Sequence, residues 1–135
     1  MPRILVIEDD EGLRKMLSVS LEGAGYAVTQ APDGKDGLAS LRKTPVDLVL
    51  TDLVMPGKEG LETILEIRRT QPHLKIIAMS GGSRTGMRDN LTMAKNFGAN
   101  LVFSKPFSLA VIMKAVADLL GGSPQVPRET VIAAE

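Results

Sequence analysis

Val46–Gly60, VDLVLTDLVMPGKEG, decides how the rest of the chain is read. Val46–Leu50 is almost wholly apolar and rich in Val and Leu, a carboxylate follows at Asp52, and Met55-Pro56-Gly57 turns the chain. A short apolar run closed by Pro and Gly is the signature of a strand buried on both faces, followed by a loop. In an open parallel sheet, ligands sit outside the carboxyl ends of the strands, so Asp52 stands where chemistry would be done. A lone aspartate after a strand is more often a loop or capping residue. Here, other strand ends deliver matching groups.

Working outward, Arg3–Ile7 is an apolar strand ending in Glu8-Asp9-Asp10. Leu13, Met16, Leu17, Leu21 and Ala24 then fall on one stripe at helical spacing. Gly23 and Gly25 bracket the end of that helix, and Tyr26–Gln30 alternates weakly, as an edge strand does. Pro32-Asp33-Gly34 turns into a short helix marked by Leu38 and Leu41, which Pro45 stops. Beyond the opening stretch, Leu61, Ile64 and Leu65 give a helix its buried face, with Glu62, Glu66, Arg68 and Arg69 expected in water. Leu74–Met79 is a buried strand delivering Ser80-Gly81-Gly82. Met87, Leu91, Ala94 and Phe97 mark a helix closed by Gly98, and Leu101–Phe103 is a last strand leading into Ser104-Lys105-Pro106-Phe107. Leu109, Ile112, Met113, Val116 and Leu120 make the final helix. Five strand–helix alternations predict an α/β fold, a single doubly wound domain with helices on both faces of a parallel sheet. After Gly121-Gly122-Ser123-Pro124 the periodicity ends, so residues 1–120 are read as the domain and 121–135 as a flexible tail or the start of a linker.

Composition narrows the function classes. A chain of 135 residues with 44% apolar and 24% charged residues suits one globular domain with a real core. Sixteen basic and sixteen acidic residues cancel, so no broad field draws the chain to nucleic acid or to an anionic membrane. The absence of cysteine excludes disulfides, thiol catalysis and cysteine–metal sites. No apolar stretch approaches the roughly 20 residues that span a bilayer. The N-terminus reads as a strand rather than a signal peptide, and the expected location is cytoplasmic.

The strand ends form a constellation: Glu8-Asp9 after the first, Asp52 after the third, Ser80 after the fourth and Lys105 after the fifth. Two carboxylates about 4 Å apart repel by about 1 kcal/mol in water and about 4 kcal/mol at an effective dielectric near 20, which a bound cation relieves. An all-oxygen donor set without His or Cys selects a hard divalent ion, Mg²⁺ above all. A magnesium ion, a lysine ammonium, a hydroxyl and free backbone N–H groups around one carboxylate are the parts that stabilise a transferring phosphoryl group. Asp52 is then the nucleophile, forming an acyl phosphate.

With these residues in view, the chain resembles the response-regulator receiver domains of two-component signalling, across about Pro2 to Leu120. The motifs are ILVIEDDEGLR, DLVLTDLVMPGKEGLE, IIAMSG, GAN and SKPF, in order and at compatible separations. The resemblance implies a flavodoxin-like sheet in the order 2-1-3-4-5 with five helices. It implies Asp52 as phosphoacceptor, Asp9 as direct metal-ligating acid, Glu8 as its partner through water, and the carbonyl of Val54 as third protein ligand. It implies Ser80 as switch hydroxyl beside Gly81, and Lys105 as the family lysine, joined to Pro106 by a cis peptide. The implied donor is a sensor histidine kinase or histidine phosphotransfer protein, and the implied cofactor is Mg²⁺. The output would be a downstream protein partner or a homodimer, engaged through residues 87–97, Leu101–Ser104 and the last helix, without direct binding to nucleic acid or membrane.

The chain also departs from the family. Val102 stands where the last strand usually carries an aromatic, and Phe103 beside it is expected to face the other way. Ser80 replaces the commoner Thr. The interval from Ser80 to Lys105 is longer than usual by about three residues within 81–88 (GGSRTGMR), where glycines predict mobility without phosphate. Val54 and Gly82 offer little to orient an attacking water, which predicts a phosphoryl lifetime of minutes or longer.

Two other classes compete. An Mg²⁺-dependent phosphatase or phosphotransferase with an Asp nucleophile needs a second acid two residues after it, and that position is Val54. A flavodoxin-like nucleotide or flavin binder needs a phosphate-cradling first loop, and Glu8-Asp9-Asp10 would repel the phosphate.

Overall fold

Five apolar runs become the strands of one parallel sheet. The computed structural model describes residues 1–53, 59–80 and 95–121. Its strands, β1 (Arg3–Ile7), β2 (Ala27–Ala31), β3 (Leu48–Asp52), β4 (Lys75–Ser80) and β5 (Leu101–Ser104), lie in the order β2-β1-β3-β4-β5. This is the topology that the resemblance implies. Among the described residues the helices are α1 (Glu11–Gly23), α2 (Gly34–Lys43), α3 (Glu59–Thr70) and α4 (Leu109–Leu119), with residues 95–97 also helical. The expected loop at 81–88, Val54, and Met87, Leu91 and Ala94 of the helical stripe lie outside the described residues, as does the tail beyond Gly121.

Side chains alternate across each central strand, so both faces of the sheet are apolar and both are covered. Leu5, Ile7, Val49, Ile76 and Ala78 pack with Leu41, Leu61, Ile64 and Ile67 under α2 and α3. Ile4, Val6, Leu48, Leu50, Ile77 and Met79 pack on the opposite face with Leu17, Leu21, Ile112 and Val116 under α1 and α4. On β5 the neighbours separate as expected, Val102 joining the first layer and Phe103 the second.

Local chemistry sets where the elements start and stop. Asp10 caps α1, its carboxylate accepting from the Leu13 amide at 3.0 Å, which leaves Glu8 and Asp9 on the strand side of the helix start. Asp33 caps α2 in the same way through the Asp36 amide. Gly60 is required by space, since a Cβ there would lie 2.7 Å from the Leu53 Cα and 2.9 Å from its carbonyl oxygen. The chain leaving Asp52 can therefore pass close over the start of α3 only because that position has no side chain.

Several sequence expectations are corrected. β3 begins at Leu48 rather than Val46 and includes Asp52, because ladder pairing with β4 continues to Asp52 opposite Met79. Met16 is exposed, and the buried face of α1 is Leu17, Ser18 and Leu21. On α3, Leu65 lies at the surface while Thr63 and Ile67 are buried with Leu61 and Ile64. Arg68 does not point into water. Its guanidinium donates to the carbonyls of Gln71, Pro72 and Gly98 and to the Asn100 side chain, and burial lowers its pKa. Asn100 in turn accepts from the Ile76 amide with its side chain, while its own amide donates to the Ile76 carbonyl. This clamp fixes the end of the sheet opposite the carboxyl ends of the strands.

Candidate functional site

The parallel register itself assembles the site. Ile7 is opposite Thr51, so Glu8 follows onto the level of Asp52; Ser80 is opposite Ser104, so Lys105 is the next residue out. Two further backbone bonds hold this edge: the Leu53 amide donates to Met79 and the Lys105 amide to Ser80 at 2.8 Å. Residues separated by up to 97 positions thus meet at the carboxyl ends of four adjacent strands.

Lys105 Nζ lies 3.2 Å from Glu8 Oε1 and 3.2 Å from Asp52 Oδ2. Both carboxylates are essentially inaccessible, at 0% for Glu8 and 2% for Asp52, whereas Asp9 is exposed. Asp9 nonetheless offers an oxygen within 4.8 Å of those of Glu8 and Asp52. Ser80 is buried at its strand end. The Lys105–Pro106 peptide is cis, as the resemblance implies.

Burial is the main force on Glu8, pushing its carboxyl up to about 7; the Asp10 amide, which donates to Oε2 at 3.0 Å, opposes this, the Asp52 charge adds to it, and Lys105 pulls back. For Lys105, burial favours the neutral form, but the two carboxylates outweigh it and hold the ammonium above its usual pKa. The site therefore carries more negative charge than one lysine compensates, which is an electrostatic invitation to a second cation.

The donor set fits Mg²⁺. An octahedral Mg²⁺ with bonds of about 2.1 Å separates its oxygen ligands by about 3 Å when adjacent and about 4.2 Å when opposed. Three carboxylate oxygens already within 4.8 Å of one another come close to that spacing, with no nitrogen or sulfur donor among the three residues. Asp9, the exposed acid, would hold such an ion from the solvent side.

Glu8, Asp9, Asp52, Ser80 and Lys105 are thus brought together, while Val54 and Gly81 lie outside the described residues. Val102 and Phe103 occupy opposite layers beside the site. Sequence reasoning missed Arg14, whose Nη1 donates to the Glu8 carbonyl at 2.8 Å. Its position one helical turn after the Asp10 cap was the available signal, but an arginine on an amphipathic helix ordinarily faces solvent.

Comparison with known proteins bears on the same residues. The family model of the response regulator receiver domain matches residues 4–117. The response regulator receiver protein CpdR of Brucella abortus is 33% identical over 120 residues, covering 89% of this chain and 98% of that protein. The DNA-binding dual master transcriptional regulator RpaA of Synechocystis is 31% identical over 128 residues, 95% of this chain but 53% of that protein, so this chain spans about half of it. Among solved structures, a CheY-like response regulator receiver domain protein from Methanospirillum hungatei superimposes with a TM-score of 0.81 at 27% identity, covering 89% of this chain and 94% of that one. A parallel sheet in the order β2-β1-β3-β4-β5, an acidic cluster with its lysine at the carboxyl ends of the strands, and a match across nearly the whole domain lead to one conclusion: this chain belongs to the response regulator receiver domain family, the phosphoacceptor domains of two-component signalling.

Proposed function

We propose that Asp52 is the residue that accepts the phosphoryl group, and that the domain acts as a switch rather than a turnover enzyme. The observation supporting this most directly is Lys105 Nζ at 3.2 Å from both Asp52 and Glu8, with Asp9 alongside. An Asp52 oxygen attacks the phosphorus of a phosphohistidine on a sensor kinase or histidine phosphotransfer protein. The O–P bond forms as the N–P bond breaks, and the imidazole leaves with the electron pair and is protonated.

Glu8, Asp9 and Asp52 would hold Mg²⁺, with the Val54 carbonyl as a further ligand. When bound, the ion supplies positive charge that neutralises the phosphoryl oxygens. Lys105 compensates the same charge from the other flank, and its two carboxylate contacts hold its ammonium in place before the phosphoryl group arrives. Ser80, beside Gly81, is the hydroxyl that moves toward a phosphoryl oxygen. Its movement biases the face built from residues 87–97, Leu101–Ser104, with Val102 and Phe103, and α4 toward a protein partner or a second copy. A full switch from 1:99 to 99:1 requires phosphoryl contacts that differ between the two states by about 5.5 kcal/mol. Residues 1–120 are the switching domain and 121–135 a tail or linker. No described helix is long and apolar enough to cross a membrane.

The test is intact-mass analysis after incubation with acetyl phosphate and Mg²⁺. The wild type should gain one phosphoryl mass, and Asp52→Asn or omission of Mg²⁺ should prevent it. Unchanged wild-type mass, or a gain that survives Asp52→Asn, rejects the assignment. Beryllofluoride with size-exclusion chromatography then reports whether activation pairs two copies.

A further inference from the structure

Glu8 is restrained at every polar group. Its amide donates to the Ala31 carbonyl at 3.0 Å. Its carboxylate receives Lys105 on one oxygen and the Asp10 amide on the other. Its carbonyl, the last acceptor of the strand end, receives Arg14 Nη1 at 2.8 Å. That carbonyl belongs to the peptide linking Glu8 to Asp9, so its direction sets the plane from which the Asp9 side chain departs.

Arg14 makes further contacts around this one. Its Nε donates to Gln30 on the edge strand β2 at 3.3 Å, its amide closes the first turn of α1 on the Asp10 carbonyl, and its carbonyl accepts from the Ser18 hydroxyl. Among the described residues no carboxylate pairs with Arg14. A guanidinium bound to the peptide that joins Glu8 to Asp9 would, by its charge alone, disfavour a divalent cation held by those two acids.

We infer that Arg14 is a positioning residue for the metal-binding acids: it fixes the Glu8–Asp9 peptide through the Glu8 carbonyl, and so preorganises the pair for Mg²⁺ and for phosphoryl transfer to Asp52. The inference rests on the phosphoacceptor reading above. Its sign separates it from a simple charge effect. If Arg14 acted only through its charge, removing it would tighten Mg²⁺ binding; if it holds the acids in place, removing it weakens binding.

The experiment measures Mg²⁺ affinity by isothermal titration calorimetry, and the rate of phosphorylation by acetyl phosphate at subsaturating Mg²⁺, in wild type, Arg14→Ala, Arg14→Lys and Gln30→Ala. Metal-free thermal melts confirm that each variant is folded. Arg14→Ala should raise the Mg²⁺ Kd about tenfold, near the loss of one charge-assisted hydrogen bond, and slow phosphorylation by a similar factor. That slowing should be largely recovered at saturating Mg²⁺. Arg14→Lys should recover most of the affinity, since one N–H to the Glu8 carbonyl suffices, and Gln30→Ala should stay near wild type. An unchanged or tighter Kd in Arg14→Ala overturns the inference, as does an equal loss in all three variants, which would mark generic loosening of α1. Should Arg14→Ala fail to fold, Arg14→Met, which keeps the aliphatic stem but has no donor for the Glu8 carbonyl, takes its place under the same criteria. If the wild type itself takes up neither Mg²⁺ nor phosphate, the phosphoacceptor reading fails first, and the role of Arg14 falls with it.

Discussion

The stability of the metal-free domain should fall as pH rises from about 5 to 8, because Glu8 takes up a proton on folding. Its carboxyl is raised from 4.5 to about 7, chiefly by burial, so between those values the folded chain holds a proton that the unfolded chain has lost. The sign follows directly: where the native state binds more protons, stability drops with increasing pH, and the drop is complete once pH passes the folded value. At about 1.4 kcal/mol per pKa unit, the shift amounts to at most about 3.5 kcal/mol. That is a large part of a typical folding free energy and on the order of 10 °C in Tm. Mg²⁺ reverses the trend, because the ion requires ionised acids; its apparent Kd should rise about tenfold for each pH unit below about 7. Urea unfolding followed by circular dichroism, with chelator and with saturating Mg²⁺ at about pH 5.5, 7 and 8.5, gives the slopes. Glu8→Gln should flatten the metal-free profile between 4.5 and 7 while leaving the fold intact. Metal-free stability that is level or rising across this range, or a Glu8→Gln slope equal to that of wild type, would refute the reasoning.

Four further substitutions bear on the same architecture. Lys105→Met removes the cation between two inaccessible carboxylates and should destabilise the metal-free protein by about 2–4 kcal/mol near pH 8. The loss should be smaller near pH 5.5, where Glu8 is protonated, and equal losses at both pH values in urea titrations would contradict the charge argument. Gly60→Ala drives a methyl into the Leu53 backbone and should cost about 1–3 kcal/mol. Gly23→Ala, at the helical end of α1 with open space around it, should be neutral or stabilising by up to about 1 kcal/mol, and thermal melts of the pair check the contrast. Arg68→Ala breaks the clamp on Gly98 and Asn100 and should cost about 1–3 kcal/mol. Amide exchange should accelerate at Ile76 and Asn100 first, and uniform acceleration across the sheet would argue against a local clamp.

What the sequence alone determined is local in origin. The period of the apolar residues gave the strands and helices. The doubly wound class followed from the alternation, since parallel strands need crossovers that cover both faces. Because ligands in such sheets lie at the carboxyl ends of strands, Glu8, Asp9, Asp52, Ser80 and Lys105 could be named before any contact was known. The strand order came from the resemblance, not from periodicity.

What only the tertiary structure decided depends on register and on competition between long side chains. Asp52 belongs to β3 because pairing with β4 carries the ladder two residues past the apolar run. Leu65 and Met16 face outward, and Thr63 and Ile67 inward, because the buried arc of a helix is fixed by what packs against it rather than by composition. Arg68 and Arg14 have charges that read as solvent-facing, yet Arg68 donates to the distant Gly98 carbonyl and Arg14 folds back onto the nearby Glu8 carbonyl at the end of β1. A pattern of 3.6 residues per turn cannot foresee such contacts, since a flexible side chain finds its acceptors only after the sheet has brought the loops together. The raised Glu8 pKa has the same origin: neither its burial nor its proximity to Asp52 exists until strands separated by more than forty residues align.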